Sequence, residues 1–230
     1  MAILGQAALG FWTDIVPEAE EDFNRWYVEQ HFPERLAVPG FLRGRRYLSA
    51  RGAPKYFTLY ETEGAQVLRS PVYMERLNNP TEWTRRVLPN MRNAIRNAFR
   101  LLHSAGSAGG RASVALRIDP AADREEELRR RYQGEILAEL TRIPGVLSAT
   151  LYEAEPVATG VITEERKLVG AVGTAPPFLC FCELEDPDVV DHSAWRTLLG
   201  PNGPARKGIA GEVTENAYRL MHSLSHSVSR

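Results

Sequence analysis

"NAFRLLHS" occupies residues 97–104 and "NAYRLMHS" residues 216–223. Six of the eight letters agree across an offset of 119 residues: Asn97/Asn216, Ala98/Ala217, Arg100/Arg219, Leu101/Leu220, His103/His222 and Ser104/Ser223. A match of this kind signals an internal repeat, which has to be sought before any single element is read. Working outward, "IPGVLSATLYEAE" (143–155) answers "VPGFLRGRRYLSA" (38–50). In both, Pro-Gly closes a helical stretch and a strand-like run follows. "FLCFCELE" (178–185) answers "YFTLYETE" (56–63), each a β-rich run ending in acids, and "LGPNGP" (199–204) answers "LNNP" (77–80).

Aligned on Pro-Gly, the halves are offset by 105 residues without a gap back to residue 23. Phe23, Tyr27 and His31 then match Leu128, Tyr132 and Ile136, whose four-residue spacing draws one stripe along a helix. Pro17 suits a first helical position, and Glu18, Glu20, Glu21 and Asp22 place negative charge at the positive end of the helix dipole. In the second half Asp123 is the expected cap, followed by Glu125, Glu126 and Glu127. First strands are expected near 4–14 and 112–119. Second helices carry Tyr73, Leu77 and Trp83, or Val189, Trp195 and Leu198, and the octapeptides are the closing strands. Arg92, Arg96 and Arg100 are also spaced for a helix, which leaves the border before the first octapeptide open.

Each half therefore reads β-α-β-β-α-β, the ferredoxin-like order, with an antiparallel sheet and helices on one face only. The other face needs cover, which a second copy supplies. The expected class is α+β: two tandem ferredoxin-like βαββαβ repeats whose antiparallel sheets pack into an α+β barrel. The repeats span 1–106 and 112–230, joined by a flexible linker at 107–111 within the small-residue run "SAGSAGG" (104–110). "PVATGVITEERKLVGAVGTAP" (156–176) has no counterpart in the first half. It reads as an inserted hairpin, either a lid over a pocket or a surface excursion.

Composition excludes several classes. The 230 residues carry a net charge of −1, with 14 basic and 11 acidic residues in 1–110 against 14 and 18 in 111–230. Neither half has the clustered cations of a nucleic-acid binder. No run approaches the roughly 20 apolar residues of a membrane span, and the start lacks a basic leader, so no membrane partner and a cytoplasmic location are expected. Cys180 and Cys182 point the same way on a strand and read as small packing residues, too few for a structural zinc site. No Gly-rich phosphate loop or paired-His zinc helix is present, so neither a metal nor a cofactor is expected.

"FNRWYVEQHFPERLAVPGF" (23–41) resembles the first-helix signature of the dimeric α+β barrel superfamily, in particular its EthD-like members. There a Trp-Tyr or Tyr-Trp pair precedes a His near the helix end, then a Pro and a basic residue. Here these are Trp26, Tyr27, His31, Pro33 and Arg35. The second half has Arg131, Tyr132, Ile136, Ala138 and Leu140 at those positions, so the motif belongs to the first half alone. The resemblance implies a fold shared by polyketide cyclases, small monooxygenases, isomerases and haem enzymes such as chlorite dismutase. Such a fold does not choose the chemistry.

His31 is the sharpest candidate on the residues themselves. An aliphatic side chain fills the matching position in the other half, whereas an imidazole carries protons near neutral pH. The expected function is binding or transformation of a small, partly aromatic molecule. His31 and Tyr27 are the expected catalytic residues, and Trp26, Arg35, Trp12 and Arg100 the ligand-binding ones. Tyr27 recurs as Tyr132, which also fits a packing role. If Arg100 and Arg219 face the barrel interior, either Glu61 and Glu183 or a ligand carboxylate is the expected partner, since an unpaired buried charge is costly. His103 and His222 read as structural, and Asp191 or Ser193 as a helix cap beside His192. The alternatives are a non-catalytic duplicated barrel serving as an assembly module, and a haem-binding barrel. Association into a homodimer is left open.

Overall fold

The computed structural model describes residues 3–155 and 162–225. Among these residues, nine strands and eight short α-helices follow one another in chain order. The first half runs β1 (Ala7–Ile15), α1 (Glu20–Trp26), α2 (Phe32–Leu36), β2 (Phe41–Arg51), β3 (Tyr56–Thr62), α3 (Pro71–Asn78), α4 (Glu82–Val87) and β4 (Met91–Gly106). The second runs β5 (Ala112–Pro120), α5 (Glu125–Arg131), α6 (Leu137–Leu140), β6 (Val146–Ala154), α7 (Glu164–Val169), β7 (Gly173–Thr174), β8 (Phe178–Leu184), α8 (Ser193–Leu199) and β9 (Ala210–Ser225). Among these residues no helix is long and apolar enough to cross a membrane.

Eight strands close into an antiparallel barrel in the order β1-β3-β2-β9-β5-β8-β6-β4, and β4 returns to pair with β1. Within the first half the order is β4-β1-β3-β2, and within the second β9-β5-β8-β6. The halves join at two seams. β2 pairs with β9 through Arg43↔Ser225 to Arg51↔Ala217, and β4 pairs with β6 through Phe99↔Ala154 to Gly106↔Ser148. Both octapeptides lie inside seam strands. The stretch from Met91 is strand throughout, so the helical spacing of Arg92, Arg96 and Arg100 is not used.

Alternation along each strand separates two environments. Tyr56 and Tyr60 of β3 pack under the first-half helices, while Phe57 and Leu59 point into the barrel with Trp12, Tyr47 and Phe181. In β8, Cys180 and Cys182 face the second-half helices with Tyr132, Ile136 and Trp195, and remain free thiols. The outer faces are thus covered by helices and the inner faces by one another.

The turns correspond as well. Gly40 and Gly145 follow their prolines with φ of +91° and +84°, a left-handed conformation natural to glycine. A Cβ at either would lie 2.5 Å and 2.6 Å from a methyl of Val67 and Val189 respectively. Asp123 is not the cap of α5: it sits in the turn at φ +60°, and the N-cap position passes to Arg124 without a side-chain bond. Beside α8 the cap is His192 itself, whose Nδ1 accepts from the Ala194 N–H at 3.2 Å.

The insertion differs from its expected form. Residues 156–161 lie outside the described residues, and the remainder forms α7 and the two-residue β7 rather than a hairpin. The Thr163 hydroxyl accepts from the Arg166 N–H, Glu164 and Glu165 occupy the first turn, and Gly170 ends the helix at φ +80°. Capping and dipole terms favour helix over strand here. β7 attaches in parallel to β4.

Candidate functional site

Between α1 and α2 the chain does not break but widens into a π-turn over Tyr27–His31, closed by the Phe32 N–H donating to the Tyr27 carbonyl. Such one-turn widenings recur at functional sites. Its counterpart covers Tyr132–Ile136. The wide turn buries Trp26, Tyr27 and His31 together under one face. Trp26 donates from Nε1 to Thr84 Oγ1 at 3.2 Å, and the Thr58 hydroxyl donates to the Tyr27 hydroxyl at 3.2 Å. The imidazole of His31 packs against both rings, its centroid 4.2 Å from that of Trp26 and 4.9 Å from that of Tyr27.

These side chains form one wall of a cavity between the first-half helices and sheet. Leu9, Tyr60, Met91 and Arg96 line it from the strands, Tyr73 and Leu77 from α3, and Arg35 from α2. The inserted segment closes it with Thr163, Glu165, Arg166 and Val169. α7 packs on α3, α4 and the turn after α4, and its Glu164 N–H donates to Asn78 Oδ1 at 3.3 Å. A segment of the second half thereby roofs a cavity built by the first.

His31 is 9% exposed, and its Nδ1 is buried without a hydrogen-bond partner. Burial, and then the positive charges of Arg35 and Arg46, hold its pKa well below 6.5, so the imidazole is neutral at physiological pH. The ring is therefore not an imidazolium in the folded protein. Burial likewise raises the pKa of Tyr27 and of Tyr60, whose hydroxyl has no partner. Both phenols stay protonated. Arg46 is stacked among Phe23, Tyr27 and Tyr56 at 4.7, 4.2 and 4.5 Å, below the helix, and bonds Asn24 Oδ1 at 2.8 Å.

Arg35 is 2% exposed. Its Nη2 donates to Glu165 Oε2 at 2.5 Å, its Cζ lies 5.7 Å from the Tyr73 ring centre, and its Nη1 is buried without a partner. Four of the six residues expected from the sequence thus converge: His31, Tyr27, Trp26 and Arg35. Trp12 and Arg100 do not. Trp12 points into the barrel and stacks on Phe57 at 4.6 Å, because β1 alternates and Leu9, not Trp12, faces the helices. Arg100 lies on the outer surface, ion-paired with Glu153, and Arg219 pairs outside with Asp186 at 3.2 Å. Glu61 and Glu183 are buried as expected, but their partners are Arg43 and Arg45 of β2.

Glu165, Tyr60, Tyr73 and Arg96 were not expected at the site from the sequence. Alternation in "YFTLYETE" places Tyr60 on the face of Tyr56, so that residue was within reach. Nothing local connects Glu165 to Arg35, 130 residues away.

The cavity encloses about 100 Å³. Sites for drug-sized ligands run roughly 300–1,000 Å³. At about 100 Å³ the residues present do not fit a haem macrocycle. Among the described residues, no group of three or more His, Cys, Asp or Glu side chains gathers as a metal site requires.

The architecture is that of the ferredoxin-like α+β barrel proteins. It is similar to a protein named anthrone oxidase-like, with a TM-score of 0.62 at 13% identity over 98% of this chain and 95% of that one. It is also similar to a protein of Fusobacterium nucleatum assigned as a monooxygenase, with a TM-score of 0.57 at 10% identity over 96% and 95%. A protein assigned as a chlorite dismutase gives 0.54 at 15% identity over 94% and 95%. No protein-family model and no curated protein matches the chain by sequence.

Proposed function

We propose that this chain is an EthD-like barrel protein, derived by duplication of one ferredoxin-like unit, that binds a small, partly aromatic molecule in the first-half cavity and uses His31 as a base. Duplication is supported by the matched octapeptides, the matched π-turns 105 residues apart and the matched Pro-Gly turns. On this reading, residues 1–106 and 112–230 are the two repeats. The structural neighbour named anthrone oxidase-like supports a small aromatic ligand as its class.

The single observation that carries the reading is the contrast between His31 and Ile136. The second-half position is filled by a fully buried aliphatic group against Leu137 and Leu140. The first half places there a buried imidazole with an unpartnered nitrogen, on the wall of an aromatic cavity. Leaving a buried polar atom unsatisfied costs about 1–3 kcal/mol, which a ligand offsets. The neutral imidazole takes a proton from a ligand O–H or from an activated C–H. Trp26 and Tyr27 pack against the ring and hold it in place.

The test compares His31→Ile with wild type, using 2-naphthol as the probe and titration calorimetry as the readout. The variant should keep the native circular dichroism spectrum and bind the probe about five- to tenfold more weakly, the worth of one hydrogen bond. Equal affinity in a folded variant removes His31 from the site.

A further inference from the structure

Three guanidinium residues line the cavity, Arg35, Arg96 and Arg166, against the single carboxylate of Glu165 among the described lining residues. The one carboxylate among the described lining residues thus comes from the roof. Arg35 is the deepest of these cations, with Nη2 on Glu165 and Nη1 buried and unpartnered. About 100 Å³ is too little for a substituted aromatic ring system, so such a ligand enters only as α7 moves away. That movement withdraws Glu165 from Arg35. A buried cation stripped of its counter-ion is strongly unfavourable. An anionic ligand removes this penalty by taking the carboxylate's place, and a neutral ligand leaves it standing.

We propose that the ligand is a small aromatic acid whose anionic oxygen displaces Glu165 from Arg35, so that Glu165 is a built-in stand-in for the ligand and α7 is released as the ligand binds. Arg35 is then the specificity-determining residue, choosing an acid over its neutral isostere. The shared group is an aromatic carboxylate or phenolate. This rests on the cavity being a small-molecule site, as proposed above.

The experiment titrates the full chain with 2-naphthoate and with its neutral isostere 2-naphthamide. Wild type should bind the acid about tenfold more tightly than the amide, a difference that one neutralised charge readily supplies. Glu165→Gln removes the internal competitor while keeping the shape. It should tighten 2-naphthoate by about tenfold and change 2-naphthamide by less than about twofold. Arg35→Met should bring the ratio of the two affinities close to one. Equal affinity of wild type for both probes overturns the proposal, as does a Glu165→Gln variant that binds 2-naphthoate no better than wild type. If Arg35→Met does not fold, the Glu165→Gln comparison decides alone. An amide that binds wild type without any preference for the acid sinks only the exchange. Failure of both probes to bind sinks the small-molecule reading with it.

Discussion

At the scale of the residue, His31 ties stability to pH with a definite sign. Its pKa lies well below 6.5 in the folded protein and near 6.5 in the unfolded chain. Below about pH 6.5 the unfolded chain binds more protons than the folded one, so stability falls as pH drops from there toward the folded value. The groups around the ring are the cations Arg35 and Arg46 and the protonated phenols Tyr27 and Tyr60, while the one carboxylate of the cavity, Glu165, is engaged by Arg35. Each pH unit in that window costs ~1.4 kcal/mol. His31→Ile lacks this slope. In urea unfolding at pH 7, 6 and 5, the stability of wild type relative to the variant should therefore decline toward acid. Parallel curves mean that the imidazole titrates normally. At this scale the sequence read well where one helix carries the residues: Trp26, Tyr27, His31 and Arg35 share a surface because they lie within three turns of one another. It misjudged Trp12 and Arg100 because period-two alternation does not say which of two apolar faces meets the ligand.

At the scale of the element, the approach of α2 to β2 depends on a missing side chain. A Cβ on Gly44 would stand 2.3 Å from the Phe32 ring and 3.0 Å from the Tyr60 ring. Gly44→Ala should push Phe32 outward and cost ~1–3 kcal/mol, as overpacking does. Because α2 carries Arg35, the same change should weaken probe binding. Phe32→Leu added to Gly44→Ala should recover part of the loss, and the double-mutant cycle measures that coupling. Thermal unfolding that leaves the single variant at the wild-type midpoint contradicts the packing argument. Strand and helix identities were largely legible because Pro-Gly turns and apolar periodicity are local. The insertion was not. "VATGVIT" and "KLVGAVG" carry strand-like composition, yet Thr163 as cap and two acids in the first turn commit α7 to a helix.

At the scale of the whole molecule, the barrel interior holds ions as well as rings. Arg43 donates to Glu61 at 2.5 and 2.9 Å, and Arg45 reaches both Glu61 at 3.2 Å and Glu183. Ser148 also bonds Glu183, at 3.3 Å. Arg45 belongs to the first half and Glu183 to the second, so this network spans the molecule along with the two strand seams. Glu183→Gln leaves Arg45 short of a buried anion and should cost ~3–5 kcal/mol. Its urea transition should remain single, since closing strands from both halves into one barrel couples their unfolding. Two separate transitions, one for each half, would argue against that coupling.

What the sequence determined by itself is the α+β class with its antiparallel strands, the closing strands at the octapeptides, and the helical surface bearing Trp26, Tyr27, His31 and Arg35. These follow from local rules of period, turn and charge that each stretch carries within itself. Only the tertiary structure decided that a segment of the second half roofs the cavity under the first-half helices, and that Arg35 meets Glu165 there. Those facts depend on two sheets joining edge to edge, which sets residues more than a hundred positions apart within hydrogen-bonding distance. No local pattern encodes that separation.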